Sequence, residues 1–455
     1  MITGPKVLLI CQSSKRQKFY ANTLPPLGIL GIASNLHKHN IPADIIDYNI
    51  ERSPKVDFKD YDIIGLSINM SNVNASLELI RYIKSQNPKA KVIIGGPSCM
   101  SNPEYFTQYE EIDAICNTEG EEVFLDYVRG EGFLKVSEVS GLYTKNRKGQ
   151  FVYGGIRGYI KDLDNLPFPA LNKVRLDRYN VLIGRGFPVS SIISSRGCPF
   201  NCIFCFHSMG HKWRARSPEN VVDEIEWQVM ELGVKEVCIQ DDNFSLDIDR
   251  AEQIFELIID RKIKVKLQFH NGIRTDKLEL KLLNKMRQAG VWLLAVAPET
   301  GSLEMKKQIK KEFDLERMKQ VVTWCKKLDI KTFSFFLIGF PFETTQDIRR
   351  TASFIRELGT DFMQLARVKP IPTTPLFEDF INNNSSDMLE QEQRVFFGTP
   401  KYQSSKVSEK ELARLIKQIY RDFYLNPIKM LKLVRILPLY QLIRLFIYSI
   451  RTRNI

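Results

Sequence analysis

The sequence predicts an α/β protein in which a doubly wound parallel sheet is followed by a partial barrel of six βα units and a C-terminal helical region. Short apolar runs alternate with amphipathic helical patterns from residue 6 to about 130, and a second such series begins at Val189. The chain has 455 residues, of which 44% are hydrophobic and 26% charged. These values are typical of a globular protein with several domains and exclude wholesale disorder and a polytopic membrane protein.

The N-terminal series predicts a Rossmann-like sheet, because continuous apolar strands separated by helices are typical of parallel sheets buried on both faces. The predicted helices include Leu27–His37 and Ala75–Ser85, and the predicted strands are Val7–Ile10, Asp44–Asp47, Ile63–Ser67, Val92–Gly95 and Asp113–Cys116. In such sheets ligands bind beyond the carboxyl ends of the strands. The segments at those ends are Ser67-Ile68-Asn69, Gly95-Gly96-Pro97-Ser98 and Glu119-Gly120-Glu121.

The next region changes character. Residues 141–153 predict a hairpin around the turn Asn146–Gly149, and 163–169 predict an extended linker because of its two prolines. We therefore expect four regions: a ligand-binding domain over 1–135, a hairpin and linker over 136–187, a partial barrel over 188–390 and a basic helical region over 391–455.

The second series supplies the barrel. Its predicted helices are 218–232, 249–260, 278–288, 314–327 and 345–358, and its predicted strands are Val189–Ser194, Glu236–Gln240, Val265–Phe269, Trp292–Val296, Thr332–Ile338 and Phe362–Arg367. As in other βα barrels, the chemistry is expected at the carboxyl ends of these strands.

Three cysteines, Cys198, Cys202 and Cys205, fall within eight residues directly after the first barrel strand. Three thiolates on one loop suit three irons of a 4Fe–4S cluster and leave the fourth iron open to a ligand. The alternatives are three buried thiols, or a zinc site completed by His207 or His211. Eight cysteines in a chain of this length are too few for a disulfide scaffold.

This cysteine loop, in this position, resembles that of the radical S-adenosylmethionine (SAM) superfamily. The resemblance continues after the later strands, at Asp241-Asp242-Asn243, Asn271-Gly272-Ile273-Arg274, Glu299-Thr300-Gly301-Ser302 and Gly339-Phe-Pro-Phe-Glu343. Thr373 stands where the family more often has glycine, which leaves the local turn open. The resemblance implies a 4Fe–4S cluster on the three cysteines. It also implies SAM contacts from Phe204, Asp241, Asp242, Arg274, Glu299, Gly339 and Glu343.

The N-terminal domain resembles that of the cobalamin-binding branch of this superfamily, through Pro25-Pro26-Leu27-Gly28, Gly95-Gly96-Pro97-Ser98 and Glu119-Gly120-Glu121-Glu122. The implied cobalamin contacts are Ser67, Asn69, Gly95, Gly96, Pro97, Ser98, Glu119, Gly120 and Glu121. The alternative is that Gly95-Gly96 is only a tight turn and that Glu119 and Glu121 begin a helix. The Asp-x-His-x-x-Gly motif of another cobalamin fold is absent, so we expect no histidine ligand on cobalt.

The resemblance implies a cobalamin-dependent radical SAM methyltransferase that acts on an unactivated carbon through SAM and methylcobalamin. The alternatives are a cyclase or ring-rearranging enzyme, a methylthiotransferase with a second cluster on Cys11, Cys99 and Cys116, and a non-catalytic cobalamin or redox sensor. No catalytic side chain is predicted. The expected partners are a small-molecule or natural-product substrate and an electron donor such as flavodoxin or ferredoxin, without nucleic acid.

Residues 426–455 carry six basic residues and no acid, which is half of the formal net charge of +12. Interleaved apolar residues suit either packing on the barrel, which we favour, or peripheral contact with an anionic membrane. No apolar run reaches the length of a membrane span, and the N-terminus lacks the features of a signal peptide. We therefore expect a cytoplasmic protein, with the tail as its candidate contact with the inner membrane face.

Overall fold

A computed structural model of the chain describes residues 4–13, 23–51, 53–133, 139–383, 406–437 and 441–442. The chain divides into two compact units. The first contains the described residues up to Tyr179 together with Phe206–Arg214, and the second contains Asn180–Cys205 and the described residues from Ala215 onward.

The first unit is built on a seven-stranded sheet in the order β2-β1-β3-β4-β5-β6-β7. The first five strands are parallel where they pair, and β6 and β7 add antiparallel to the β5 edge. The strands are β1 (Val7–Cys11), β2 (Ala43–Asp47), β3 (Ile63–Ser67), β4 (Lys91–Gly95), β5 (Ala114–Cys116), β6 (Leu142–Lys145) and β7 (Phe151–Tyr153). The doubly wound sheet and the hairpin are thus confirmed, but the hairpin makes the sheet mixed.

Helices cover both faces of this sheet. They are α1 (Leu27–Lys38), α2 (Val73–Gln86), α3 (Pro97–Ser101) and α4 (Gly120–Phe133). Alternate residues of β1 point to opposite faces, so Leu8 and Ile10 enter one apolar core and Val7 and Leu9 the other. The continuous apolar strands of the sequence therefore follow from burial on both sides.

The segment after the hairpin is tied back to the first unit by hydrogen bonds. The Ser34 hydroxyl donates to Phe168 O at 2.6 Å, and the Tyr179 hydroxyl donates to the buried Asp47 carboxylate at 2.9 Å. The linker predicted at 163–169 therefore lies against α1, inside the unit that ends at Tyr179.

The second unit contains a six-stranded parallel sheet in the order β15-β14-β13-β12-β11-β8, as the sequence predicts. Its strands are β8 (Val189–Ile192), β11 (Glu236–Ile239), β12 (Lys266–Phe269), β13 (Val291–Glu299), β14 (Lys331–Ile338) and β15 (Phe362–Arg367). Two short strands, β9 (Ser195–Arg196) and β10 (Arg214–Ala215), bracket the cysteine loop.

Among the described residues between 215 and 383, seven helices accompany this sheet. They are α5 (Pro218–Met230), α6 (Ile248–Asp260), α7 (Leu280–Gln288), α8 (Leu303–Gln308), α9 (Leu315–Lys327), α10 (Thr345–Leu358) and α11 (Pro375–Asn383). Side chains cap several of them; the Asp247 carboxylate accepts from Arg250 N at 3.0 Å, and Thr344 and Asp347 form a capping box at α10.

Two further helices, α12 (Glu409–Tyr424) and α13 (Pro427–Ile436), pack on the barrel. The hydroxyls of Tyr420 and Tyr424, one helical turn apart, each bond both the N–H and the C=O of a residue on edge strand β15, Leu365 and Met363 respectively. They satisfy backbone groups that an edge strand otherwise leaves open. None of the described helices is long and apolar enough to cross a bilayer.

Candidate functional site

The three cysteines lie on the loop that follows β9, at the carboxyl end of the barrel strands. Gly197 begins this loop with a φ of +85°, which glycine adopts without a steric penalty, and its N–H donates to Asp242 Oδ2 at 3.1 Å. Ile203 within the loop donates from its N–H to Ile309 O at 3.2 Å. The Cys205 N–H donates to Cys202 O at 3.1 Å, so the last two cysteines share one tight turn.

The thiols are partly enclosed, and one cation acts on all three. Burial raises the pKa of Cys198, Cys202 and Cys205, the last to about 12, while Lys311 opposes the rise at each thiol. Arg274 also opposes the rise at Cys198 and Cys202, yet burial outweighs both cations, so bound iron would supply the further positive charge that thiolates need. Three soft ligands on one short loop fit a 4Fe–4S cluster. Within the described ranges no three His, Cys, Asp or Glu side chains gather to hold one metal ion.

Lys311 links the cysteine loop to Glu299. Its Nζ lies 3.2 Å from Glu299 Oε1 and 5.9 Å from the ring centre of Phe204. Burial disfavours the charged form of Lys311, but Glu299 and Cys202 together outweigh this and raise its pKa. Glu299 itself has a φ of +62°, an unfavourable conformation for a residue other than glycine that is common at functional sites. The ammonium and carboxylate thus stand side by side next to the cysteines.

The two aspartates after β11 have different surroundings. Asp241 is buried and accepts from Ser194 N at 2.7 Å and from the hydroxyls of Ser194 and Ser195, both at 2.6 Å. Burial raises its pKa, and these hydrogen bonds oppose the rise. Asp242 is exposed and bonds Gly197. Asp241 therefore fixes the segment that follows β8, and Asp242 contacts the first residue of the cysteine loop.

Arg274 stacks on the cysteine loop. Its guanidinium carbon lies 3.7 Å from the centre of the Phe200 ring, and its Nη2 donates to Glu312 O at 2.7 Å. A bond from Nε to Asp276 Oδ2 at 2.9 Å fixes the guanidinium plane. Two cations thus contact aromatic residues of the cysteine loop: Arg274 stacks on Phe200, and Lys311 lies near Phe204.

The turn after β14 closes around a buried acid. Glu343 Oε2 accepts from Gly339 N at 2.5 Å and from Phe340 N at 3.3 Å, while Oε1 is buried without a partner among the described residues. Burial raises the pKa of Glu343 to about 8. Phe340 packs edge-on against Phe204, with 5.9 Å between the ring centres. A polar atom left unpaired at a carboxyl strand end fits a ligand-binding edge.

In the first unit, the Gly95–Ser98 segment passes close to the end of β3. Gly96 has a φ of +97°, and a Cβ there would lie 2.8 Å from Ile68 O and 3.0 Å from Ser67 Oγ. Ser98 is fully buried, and its hydroxyl has no hydrogen-bond partner in the described part of the chain. Asn69 is exposed, and its side chain accepts from Ser71 N and Oγ at 2.9 and 2.6 Å. Small residues and one orphan hydroxyl at a strand end fit a bulky ligand.

Glu119 and Glu121 have mainly internal roles. Both Glu119 oxygens accept from Arg214 Nη1, at 3.0 and 2.9 Å, and Oε2 also accepts from Ile160 N at 2.7 Å. Glu121 is buried in the first turn of α4, and its carbonyl accepts from Asn35 on α1 at 2.8 Å. Gly120 is close to α1 as well, since a Cβ there would meet Ile32 at 2.8 Å. These three residues therefore position α4 and the linker.

Three residues near the two strand edges were not predicted from the sequence: Lys311, Phe200 and Arg214. A lysine in the run Lys306–Lys311 gives no signal that distinguishes it from its solvated neighbours. Arg214 is separated from Glu119 by 95 residues, so no local pattern links them. Phe200 lies between two of the cysteines, but its contact with Arg274, 74 residues later, forms only in the folded chain.

Two family models match the chain in regions that agree with this geometry. One, the radical SAM superfamily, matches residues 192–355, and the other, the B12 binding domain, matches residues 20–128. The first therefore spans the cysteine loop and the ends of β11 to β14. The second spans the Gly95–Ser98 segment and the start of α4.

The chain is similar along most of its length to two methyltransferases. It is 27% identical to an uncharacterized methyltransferase of Pyrococcus horikoshii over 94% of each chain. It is 25% identical to the cytidylyl-2-hydroxyethylphosphonate methyltransferase of Streptomyces wedmorensis over 92% of this chain and 90% of the relative. Among solved structures, the cobalamin-dependent S-adenosylmethionine radical enzyme OxsB with aqua-cobalamin and SAM bound matches with a TM-score of 0.75. That match has 18% identity and covers 98% of this chain and 72% of OxsB, which shows a shared fold.

Proposed function

Since the chain belongs to the cobalamin-binding branch of the radical SAM superfamily, we propose that it is a methyltransferase that acts on an unactivated carbon of a small molecule. When bound, a 4Fe–4S cluster with SAM supplies the radical that removes hydrogen from such a carbon, and cobalamin supplies the methyl group. The remaining tasks belong to the protein's own residues.

The observation that carries this proposal is the cysteine loop with its ion pair. Cys198, Cys202 and Cys205 would hold the cluster. Lys311 and Glu299, 3.2 Å apart beside that loop, offer one cation and one anion to the charged groups of a zwitterionic ligand. SAM carries both an ammonium and a carboxylate, so the pair matches its chemistry.

Other residues keep this arrangement in place. Asp242 holds the start of the loop through Gly197, and Arg274 holds its middle by stacking on Phe200. Phe204 and Phe340 form an apolar contact next to the loop that suits a flat purine ring. Enclosure by these rings would exclude water from the reacting groups.

The Gly95–Ser98 segment would hold cobalamin. The missing Cβ of Gly96 lets this segment pack against the end of β3, and the buried Ser98 hydroxyl, which has no partner among the described residues, would bond an amide of the ligand. Asn69 and Ser67, at the end of the neighbouring β3, complete the edge. The described histidines of this unit do not lie on this segment, so we expect a Co(II) spectrum without nitrogen splitting from the protein.

Methyl transfer, rather than cyclisation or methylthiolation, is supported by the two methyltransferases above, because each matches over 90% or more of both chains. The substrate class is a small molecule, with the electron supplied by a one-electron protein carrier such as flavodoxin or ferredoxin. Such low-potential chemistry suits the cytoplasm, which is where we place the protein.

Anaerobic reconstitution with iron, sulfide, hydroxocobalamin and SAM, with reduced flavodoxin or a chemical reductant as the electron source, tests this function. A methyltransferase of this kind forms both 5′-deoxyadenosine and S-adenosylhomocysteine, because one SAM gives the radical and another gives the methyl group. Both are measured by mass spectrometry, with Cys325→Ala in the buried face of α9 as a control that leaves both products unchanged.

The two products separate a methyltransferase from two of its alternatives, the cyclase and the sensor. 5′-Deoxyadenosine without S-adenosylhomocysteine would indicate a cyclase or ring-rearranging enzyme, and neither product in a cluster-loaded, cobalamin-loaded protein would indicate a sensor. Either result would overturn methyl transfer.

A further inference from the structure

Helix α13 has an inner and an outer apolar face. Leu433 is buried in a cluster that contains Trp292 and Phe362 of the barrel strands. On the other side, Leu431 and Val434 are 67% and 63% exposed, and Met430 is exposed as well. We call Met430, Leu431 and Val434, with the cations Lys432 and Arg435, the outer face of α13. Packing explains the inner face of this helix but not its outer apolar residues.

The charges on this helix are divided in the same way. Lys429 points inward, since its Nζ donates to Thr360 O and lies 4.3 Å from the centre of the Phe423 ring. Lys432 and Arg435 are exposed among the outer apolar residues. No acid occurs from residue 426 to the end of the sequence. The outer face is therefore both apolar and cationic.

The outer face belongs to the end of the barrel opposite the cysteines. Trp292 lies at the start of β13, and Phe362 is the first residue of β15, so α13 packs at the amino ends of these parallel strands. The same end carries Phe187, 58% exposed, and the exposed Arg185, just before β8. Gln441 Nε2, beyond α13, donates to Gly184 O at 3.0 Å. More than one segment thus presents aromatic or apolar groups with cations at this end.

We propose that the outer face of α13 is a docking surface for an anionic lipid bilayer. An amphipathic helix with apolar side chains and cations on its free side lies in the headgroup region, where burial of the apolar groups and attraction to anionic lipids act together. A neighbouring protein would need acids opposite the cations and a matching apolar hollow, whereas a bilayer supplies both anions and an apolar layer. The barrel end with the cysteines would face away from the lipid. This surface does not depend on the proposed reaction.

Sedimentation of the full-length protein with vesicles tests the proposal. Vesicles of phosphatidylcholine with about one-third phosphatidylglycerol should bind the protein reversibly, and vesicles of phosphatidylcholine alone should bind it far less. Neutralising both cations in Lys432→Gln/Arg435→Gln should weaken the partition coefficient about 30-fold, since each cation near the surface contributes roughly a fivefold factor. Leu431→Ser should weaken it about tenfold, and added salt should weaken binding of the parent.

Met230→Ser is the matched control, because Met230 is an apolar residue 72% exposed on a different helix, α5. It should bind vesicles like the parent. All variants change exposed side chains, and an unchanged melting temperature would confirm that they fold. Binding to anionic vesicles that Leu431→Ser and the double cation variant leave unaltered would overturn the proposal, as would no vesicle binding by the parent. A concentration-dependent dimer that Leu431→Ser abolishes would assign the face to a second copy instead.

Discussion

The carboxyl strand ends of the two units use their charged residues in different ways. In the barrel, Lys311 and Glu299 pair beside the cysteine loop, and three thiols are left without a covalent partner. In the first unit, Glu119 is enclosed by Arg214 and Ile160, and a glycine and an orphan serine hydroxyl line the strand ends. The barrel edge thus presents an ion pair and three thiols, whereas the charges near the first unit's edge are paired inside the protein and small residues line its strand ends.

Under the proposed function, this difference follows from what each edge would hold. A cluster and a zwitterion are bound by a few strong, directional groups, so ligand-type residues must stand free. A large flat ligand is bound through many weak contacts over a wide area, so small residues matter more than charges. The buried charges of the first unit, Glu119 and Arg214, therefore stabilise the folded chain by pairing with each other, because a buried charge needs a partner inside the protein.

Removing the three thiols should have the largest effect of any change that tests this comparison between the two strand edges. Cys198→Ala/Cys202→Ala/Cys205→Ala should abolish the iron–sulfur absorbance and the formation of 5′-deoxyadenosine, because no other ligand set replaces three thiolates on this loop. Cobalamin binding should persist, since the residues proposed to hold it lie in the other unit. Cys238→Ala, in the buried strand β11, should leave the cluster intact. Normal cluster content in the triple variant would remove the basis of the site.

The second effect concerns Glu119. Glu119→Gln leaves Arg214, whose side chain is 5% exposed, without a full counter-charge, and we expect a loss of about 3 kcal/mol in the free energy of unfolding of the cofactor-free protein. Chemical denaturation measures this loss. Glu122→Gln removes a partly exposed partner of Arg157 and should lower the stability by less than about 1 kcal/mol.

The opposite pattern would change the interpretation of the first unit. If Glu119→Gln left the cofactor-free protein as stable as the parent and instead lowered its affinity for cobalamin, Glu119 would be a cobalamin contact, as the family resemblance implies.

These two regions also show how far the sequence alone can reach. Both sheets and the hairpin were predicted because apolar periodicity is a local property of the chain. The cysteine loop was predicted for the same reason, since its three cysteines lie within a segment of eight residues. The Glu119–Arg214 pair could not be predicted, because it joins residues 95 apart whose proximity exists only after folding. Lys311 is one of several lysines in its segment, so the sequence does not single it out. In the folded chain Ile309, two residues earlier, accepts a hydrogen bond from Ile203 of the cysteine loop, and this brings Lys311 to the site.

A third test uses the buried acid at the end of β14. Glu343 has a folded-state pKa of about 8 against an ordinary value of 4.5, so the folded protein retains a proton that the unfolded chain releases between these values. The parent should therefore lose stability relative to Glu343→Gln as the pH rises from 4.5 to 8, by on the order of a few kcal/mol, with no further divergence above 8. Gln keeps an acceptor for Gly339 N.

Thermal melting across this pH range measures the difference between Glu343→Gln and the parent. Glu357→Gln, on the exposed face of α10, is the control and should follow the parent at every pH. A constant offset between Glu343→Gln and the parent would mean that Glu343 is ionised throughout, and that its Oε1 has a partner in solution.

The smallest effect concerns the orphan hydroxyl of Ser98, and it tests whether the first unit's edge is built for a ligand. An unpaired buried hydroxyl is unfavourable, so Ser98→Ala should leave the cofactor-free protein as stable as the parent or more stable by about 1 kcal/mol. If the hydroxyl bonds cobalamin, the same variant should bind it about fivefold to tenfold more weakly in an absorbance titration. Thr144→Val removes another orphan hydroxyl, on β6 opposite Ala114 at the amino end of β5. It should change stability in the same direction and leave the affinity for cobalamin unaltered. Equal cobalamin affinity in Ser98→Ala and Thr144→Val would show that the Ser98 hydroxyl is a packing defect, and the distinction between the two strand edges would then rest on Gly96 alone.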